Sequence, residues 1–135
     1  MILGVAPASA AYIPEPEINP QASLQLAAYS ITLEPLGGGE MYIDFTVEGT
    51  TVMDKIGIFS LLIEERTPGG TWEVFERLYG ADHDEFYMYD SIVYLGEYYF
   101  DGTVGKQYRA TIVVYAEDSR GRDIGELTSV IGLCR

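Results

Sequence analysis

The sequence predicts an all-β fold, a sandwich of seven to eight short strands. Three observations carry this. Apolar and polar residues alternate with period two in segment after segment, the mark of strands with one buried face. Turn signals rich in Gly and Pro separate these segments at short intervals, the rhythm of a sandwich of about 100 residues. Helical spacing is absent apart from a faint trace in residues 21–30, where Leu24, Leu26 and Ala28 equally suit a strand.

The folded domain is expected to begin near Ala22 and run to the C-terminus, residues 22–135. The glycines of residues 37–39 make the first turn. In residues 41–47, Met41, Ile43, Phe45 and Val47 share one face, and Tyr42, Asp44 and Thr46 the other. In residues 58–66, Phe59, Leu61 and Ile63 line up, with Ser60, Leu62 and Glu64 opposite. Residues 67–70 break the chain, because Pro presets φ and Gly supplies the conformations a reversal needs. A strand over residues 71–78 follows, with Trp72 and Val74 together.

Residues 86–100 are densely aromatic. If Phe86 and Met88 face the core, Tyr87 and Tyr89 are pushed outward; further on, Ile92, Tyr94, Gly96, Tyr98 and Phe100 share a face. After a turn at residues 101–105, Tyr108, Ala110, Ile112, Val114 and Ala116 point one way, and Arg109, Thr111, Val113 and Tyr115 the other. Residues 118–123 form the last turn and residues 124–131 the last strand.

Composition narrows the functional classes. A chain of 135 residues fits one domain, and 47% apolar with 13% aromatic residues argues against intrinsic disorder. Eight Lys and Arg against 21 Asp and Glu give a net charge of −13, spread along the chain. That field repels phosphate backbones and anionic lipid headgroups, so nucleic acid and membrane surfaces are not expected partners. Cys134 and His83 are the single Cys and His, which excludes intramolecular disulfides and Cys/His metal spacing. Both read as incidental, a terminal thiol and a surface histidine.

Residues 1–21 read as the remnant of a secretion signal followed by a Pro-rich linker. The segment Ala8, Ser9, Ala10 has the small-x-small pattern that a signal peptidase accepts, and three prolines follow within residues 14–20. No stretch approaches the roughly 20 apolar residues of a membrane span. The expectation is a secreted or cell-surface protein, a monomer or weak homo-oligomer.

Tyr108 stands three residues past Gly105, at the start of the second-to-last expected strand. In immunoglobulin-like sandwiches a Tyr there clamps the crossover by hydrogen-bonding to backbone a few residues upstream. This makes the fold immunoglobulin- or fibronectin III-like, with Tyr108 and Trp72 as structural residues. Tyr108→Phe is expected to lose about 1 kcal/mol or more by leaving a backbone acceptor unpaired.

The runs "TVMDKIG", "TWEVF" and "GTVGKQYRATIVVYAE" resemble a family of small secreted Gram-positive bacterial proteins of unknown function. That family carries an "MD.IG" segment, a Trp strand and a "G..GK.Y.A.V.VYA" strand in this order, and the resemblance spans roughly residues 22–130. It implies a signal peptide, an extracellular location and an immunoglobulin- or fibronectin III-like sandwich. It implies no activity.

The densest polar cluster is residues 81–90, where Asp82, Asp84 and Glu85 are candidate Ca²⁺ ligands by their hard oxygens. Their spacing is not that of a calcium loop, no glycine gives the sharp turn, and strand alternation would split them between faces, so a solvated acidic loop is the better reading. Glu64 with Glu65, and Glu117 with Asp118, end strands and keep edges wet. No nucleophile elbow, phosphate loop or dinucleotide motif occurs, so no cofactor and no catalytic residue is expected. Tyr87, Tyr89 and Tyr99 are the candidate ligand-binding residues, since an exposed Tyr offers an apolar face and a hydroxyl. The favoured reading is a non-catalytic binding module for a protein or, second, a glycan. The alternatives are a self-assembling envelope domain and, behind it, a small hydrolase.

Overall fold

The computed structural model describes residues 23–135, so the signal remnant and linker expected over residues 1–21 lie outside the described residues. Seven strands follow: β1 (Leu26–Gly37), β2 (Glu40–Arg66), β3 (Trp72–Tyr79), β4 (Tyr87–Asp101), β5 (Gln107–Asp118), β6 (Gly121–Thr128) and β7 (Gly132–Leu133). Two short 3-10 turns, Gly80–Asp82 and Asp84–Phe86, join β3 to β4. All seven strands belong to one antiparallel sheet.

The spine is β2, 27 residues long, where separate strands over residues 41–47 and 58–66 were expected. It stays continuous because it absorbs its irregularity as a bulge: Glu48 pairs with Val93 but Met53 with Ser91, so β2 advances five residues while β4 advances two. The Thr50 N–H inside the bulge donates to the Gln25 carbonyl at 2.9 Å, so it is not orphaned. On β4 the same junction holds Asp90 at φ 53, a left-handed conformation that Asp tolerates better than most residues.

The two ends of β2 have different neighbours. Before the bulge it lies between β1 and β4; beyond it β5 takes one side, with β6 and β7 outside β5, and the other side passes from the start of β4 to β3. We call these the first and second arms. The sheet curls, and the inner faces of the arms meet. Met41, Ile43, Phe45 and Val47 of the first arm are buried, as are Ile56, Ile58, Leu61 and Ile63 of the second. Tyr108, Ala110, Ile112, Val114 and Ala116 of β5 join them. Each of the larger side chains contributes about 1.5–3 kcal/mol by leaving water.

Phe59 was expected beside Leu61 and Ile63. A shift in register between Ile58 and Ser60 reverses the alternation there, so Phe59 turns to the outer face and packs near Val113, Tyr115 and Ile124. Gly57 marks the place where the turn before β4 crosses β2: a Cβ there would stand 2.0 Å from the Phe86 carbonyl oxygen.

Both sides of the curl are stitched. On one, Phe75 and Phe100 have ring centroids 5.5 Å apart, and Tyr98 donates to Glu76 at 2.8 Å. On the other, the Gln25 amide nitrogen donates to Asp118 at 3.1 Å and Ser23 donates to Asp123. The forked contact from Arg120, then the Gln25 bond, hold the Asp118 carboxyl down to about 2.

The last strand expected over residues 124–131 is instead β6, which begins at Gly121 because Gly121 pairs with Asp118 across a tight hairpin. The chain then turns, and Cys134 is buried rather than incidental. Its N–H donates to the Lys106 carbonyl at 2.9 Å, its carbonyl accepts from the Gly105 N–H at 2.8 Å, and its Sγ donates to the Gly39 carbonyl at 3.3 Å. The Gly39 N–H in turn donates to the Arg135 carbonyl at 2.8 Å. The final residues thus clasp the β1–β2 and β4–β5 turns together. Gly37, Gly38 and Gly39 all have positive φ, a run that residues bearing a Cβ rarely adopt.

Candidate binding face

β4 carries all three tyrosines proposed as ligand contacts, but the structure divides them. Tyr87 and Tyr89 pair with Gly57 and Lys55 at the corner between the arms, while Tyr99 pairs with Tyr42 near the far end of the first arm. Tyr87 is half-buried: its ring meets Tyr115 edge-on at 6.0 Å, and Lys55 Nζ sits 4.2 Å from its centroid. Burial, with smaller contributions from Tyr115 and Tyr89, pushes its phenol up to about 12. Tyr89 is 61% exposed. Met88 is not buried as expected. It pairs with the buried Ile56 yet is 45% exposed, on a strand that among the described residues pairs on one side only.

Tyr99 is 48% exposed and its ring lies 4.9 Å from that of Tyr42, tilted by 46°. The Tyr42 hydroxyl donates to Glu97 at 3.1 Å. Loss of solvent, and then this bond, raise its phenol to about 12. Leu95, opposite Thr46 on the same outer face, is 69% exposed. The two rings, with Leu95 two strand positions beyond Glu97, make an apolar strip along β4.

Asp82, Asp84 and Glu85 sit on the two 3-10 turns and are exposed. Glu85 Oε2 lies 3.3 Å from His83 Nδ1, and the Glu85 carbonyl accepts from the Tyr94 hydroxyl at 2.7 Å. Among the described residues no three His, Cys, Asp or Glu side chains converge as a metal site would require. His83 is half-buried rather than a plain surface residue, with its ring 5.1 Å from Phe86.

Trp72 lies on the outer face of the second arm, with the Arg109 guanidinium 4.4 Å and that of Arg66 5.7 Å from its ring. Arg109 Nε also donates to Glu64 at 2.8 Å, so the stack is held electrostatically. Tyr108 is fully buried. Its hydroxyl accepts from the Thr103 N–H at 2.7 Å and donates to Glu65 at 2.5 Å. The upstream backbone partner is therefore a donor, not the acceptor expected, and the hydroxyl's own proton goes to a carboxylate. Burial and the Glu65 bond raise the phenol above its ordinary value.

A cleft of about 530 Å³ opens at the end of the second arm between the β2–β3 and β4–β5 turns. Its lining includes Arg66, Lys106, Gln107 and Leu133 and no carboxylate side chain.

The feature that sequence reading missed is where the cations stand. Carboxylates are spread along the chain, but Lys and Arg are not. Residues 23–54 carry five carboxylates (Glu34, Glu40, Asp44, Glu48, Asp54) and no Lys or Arg; residues 78–105 carry six (Asp82, Asp84, Glu85, Asp90, Glu97, Asp101) and again none. All eight cations lie in residues 55–77 and 106–135, beside eight carboxylates. Since β1, the first half of β2 and β4 form the first arm, that arm and its adjoining turns hold eleven negative charges and no Lys or Arg, while the rest of the described chain is neutral in sum. The two Lys/Arg-free runs were visible in the sequence; that they pair with each other was not.

No family model matches the chain, and no curated protein matches it. Among solved structures it is similar to a family 76 glycoside hydrolase from a bovine Bacteroides thetaiotaomicron strain, at 14% identity and a TM-score of 0.35, over 78% of this chain and 20% of that one. The chain thus spans about a fifth of that enzyme's length. Likeness at this level bears on neither the fold class nor the activity of this protein.

Proposed function

We propose that this protein is a secreted, non-catalytic binding module of the immunoglobulin- or fibronectin III-like sandwich type, a relative of the small Gram-positive proteins its strands resemble. Its ligand is a protein rather than a glycan. The observation that carries this reading is the outer face of β2 and β4, where Tyr42 and Tyr99 stand 4.9 Å apart beside the exposed Leu95. Tyrosines supply contact area at small entropic cost and bring a hydroxyl to a polar rim, which is why they are enriched in interfaces. The sheet beneath holds them rigidly, since Met41, Ile43, Phe100 and Tyr98 on either side point into the core.

Affinity capture tests this reading. The chain is immobilised and exposed to the producer's secreted and wall fractions, alongside Tyr42→Ala/Tyr99→Ala and Tyr87→Ala/Tyr89→Ala variants. A protein retained by the native chain and by the second variant, but lost with the first, is the expected result. Retention by all three would remove the Tyr42–Tyr99 face from the reading.

The self-assembly alternative draws on one feature: within the described residues β3 and β4 each pair on one side only, with β2. The left-handed backbone at Asp90 and the carboxylates of Glu97 and Asp101 blunt that edge in the way edge strands are protected from joining.

A further inference from the structure

Asp44 stands directly opposite Glu97 across the β2–β4 ladder, and Glu40 directly opposite Asp101. Like charges in facing positions repel and cost stability. In most sheets a neighbouring Lys or Arg relieves such a pair, but β1, β2 as far as Asp54, and β4 contain none. The internal relief is neutral: Thr32 donates to Asp44 at 2.7 Å and Tyr42 to Glu97 at 3.1 Å. Each hydroxyl spends its one proton there, and the remaining carboxylate lone pairs face solvent on the same strip as Tyr42, Tyr99 and Leu95.

Building on the proposed binding role, we propose that this face docks a basic polypeptide surface, one that presents Lys or Arg side chains in extended spacing. Along each strand of this face the carboxylates stand four positions apart, Glu40 and Asp44 on β2 and Glu97 and Asp101 on β4, a spacing of about 13 Å that matches every fourth residue of an extended partner. A guanidinium or ammonium set between Asp44 and Glu97 relieves their repulsion and lies within reach of the Tyr42 and Tyr99 rings, whose faces attract cations. A partner carrying such side chains supplies the charge that this arm lacks, and its apolar residues cover Leu95.

The test titrates the full chain with a short fluorescent Lys/Arg peptide and, as control, a Glu peptide of equal length, at low salt and near 0.15 M. Three variants are compared. Asp44→Asn/Glu97→Gln removes two charges from this face; Glu73→Gln/Glu126→Gln removes two from the second arm; Tyr99→Ala changes no charge. The expected outcome is that the first weakens peptide binding by about tenfold, Tyr99→Ala by about fivefold, and the second-arm variant by less than about twofold. Equal losses from both charge variants would mean the peptide senses only the net charge of the chain, and would overturn the proposal. So would Ca²⁺ abolishing binding at concentrations that leave the ionic strength unchanged, which would make the face a metal site. If the basic peptide fails to bind while capture still yields a Tyr42/Tyr99-dependent partner, the basic chemistry is wrong and the binding face stands.

Discussion

The two arms of the sheet share a core and differ in almost everything outside it. The first has eleven carboxylates with its adjoining turns and no Lys or Arg; in the second, three ion pairs and four cation–ring contacts tie cations down, as with Arg109 on Trp72 and Lys55 on Tyr87. The second arm also buries part of its outer face, where Val113, Tyr115 and Ile124 form a small cluster of their own. Folding thus concentrates compensating interactions in one arm and leaves the other with a repulsive, aromatic face. Surface charge left uncompensated costs stability, and such features persist where they serve association.

If the arms are one cooperative unit, damage to either core face must destabilise both. Phe45→Ala removes a buried ring 6.1 Å from Tyr94 and 6.3 Å from Phe86, and is expected to cost about 3–5 kcal/mol in a single urea transition. Two separated transitions would show that the arms fold independently.

Tyr108→Phe comes next. It removes the hydroxyl that joins Thr103 to Glu65 and leaves a backbone N–H and a carboxylate short of a partner, at about 1–3 kcal/mol by chemical denaturation. An unaltered midpoint would show the corner to be ornamental.

pH should erode the protein from both sides. The phenols of Tyr42, Tyr87 and Tyr98 are each raised to about 12. A group raised on folding gives its full contribution below the unfolded phenol value near 10, and loses it as pH climbs through 12. Asp118, lowered to about 2, contributes above roughly pH 4 and is lost as pH falls toward 2. Melting temperature against pH, with tyrosinate absorbance followed in parallel, reads both limbs; ionisation of all the tyrosines near pH 10 in the folded state would contradict the first.

The smallest effect sharpens the charge contrast. Glu48→Lys on the first arm should stabilise by a few tenths to about 1 kcal/mol at low salt, while Glu73→Lys on the second changes stability by less than about 0.3 kcal/mol. Equal shifts would indicate that only net charge matters.

Legibility followed local pattern. The alternation of residues 41–47 and 108–116 placed inner and outer residues correctly, because those stretches carry no extra residue of their own and are paired on both sides over most of their length. It failed at Phe59, where a register shift inserts a residue, and at Met88, which lies opposite the buried Ile56 but on a strand paired on one side only. Bulges of this kind arise from pairing, which no single strand's periodicity records. The Tyr42–Tyr99 pair was half visible: Tyr99 stood out in a tyrosine-rich stretch, but its partner lies 57 positions earlier and is set by the β2–β4 register. Cys134 was misread because a residue next to the terminus has no periodic context, and its burial depends on turns almost a hundred residues away in sequence.

That clasp makes the protein its own reporter. Cys134 is the single cysteine, 1% exposed, with a thiol that burial holds above its ordinary pKa. A thiol-modifying reagent can reach it only when the C-terminal residues lift away from Gly39 and Lys106. The labelling rate in native buffer therefore clocks one local event, the opening of the hinge that pins both turns, without any engineered probe. Compared with the rate of global unfolding, it tells whether the end of the chain breathes alone or only when the whole sheet uncurls.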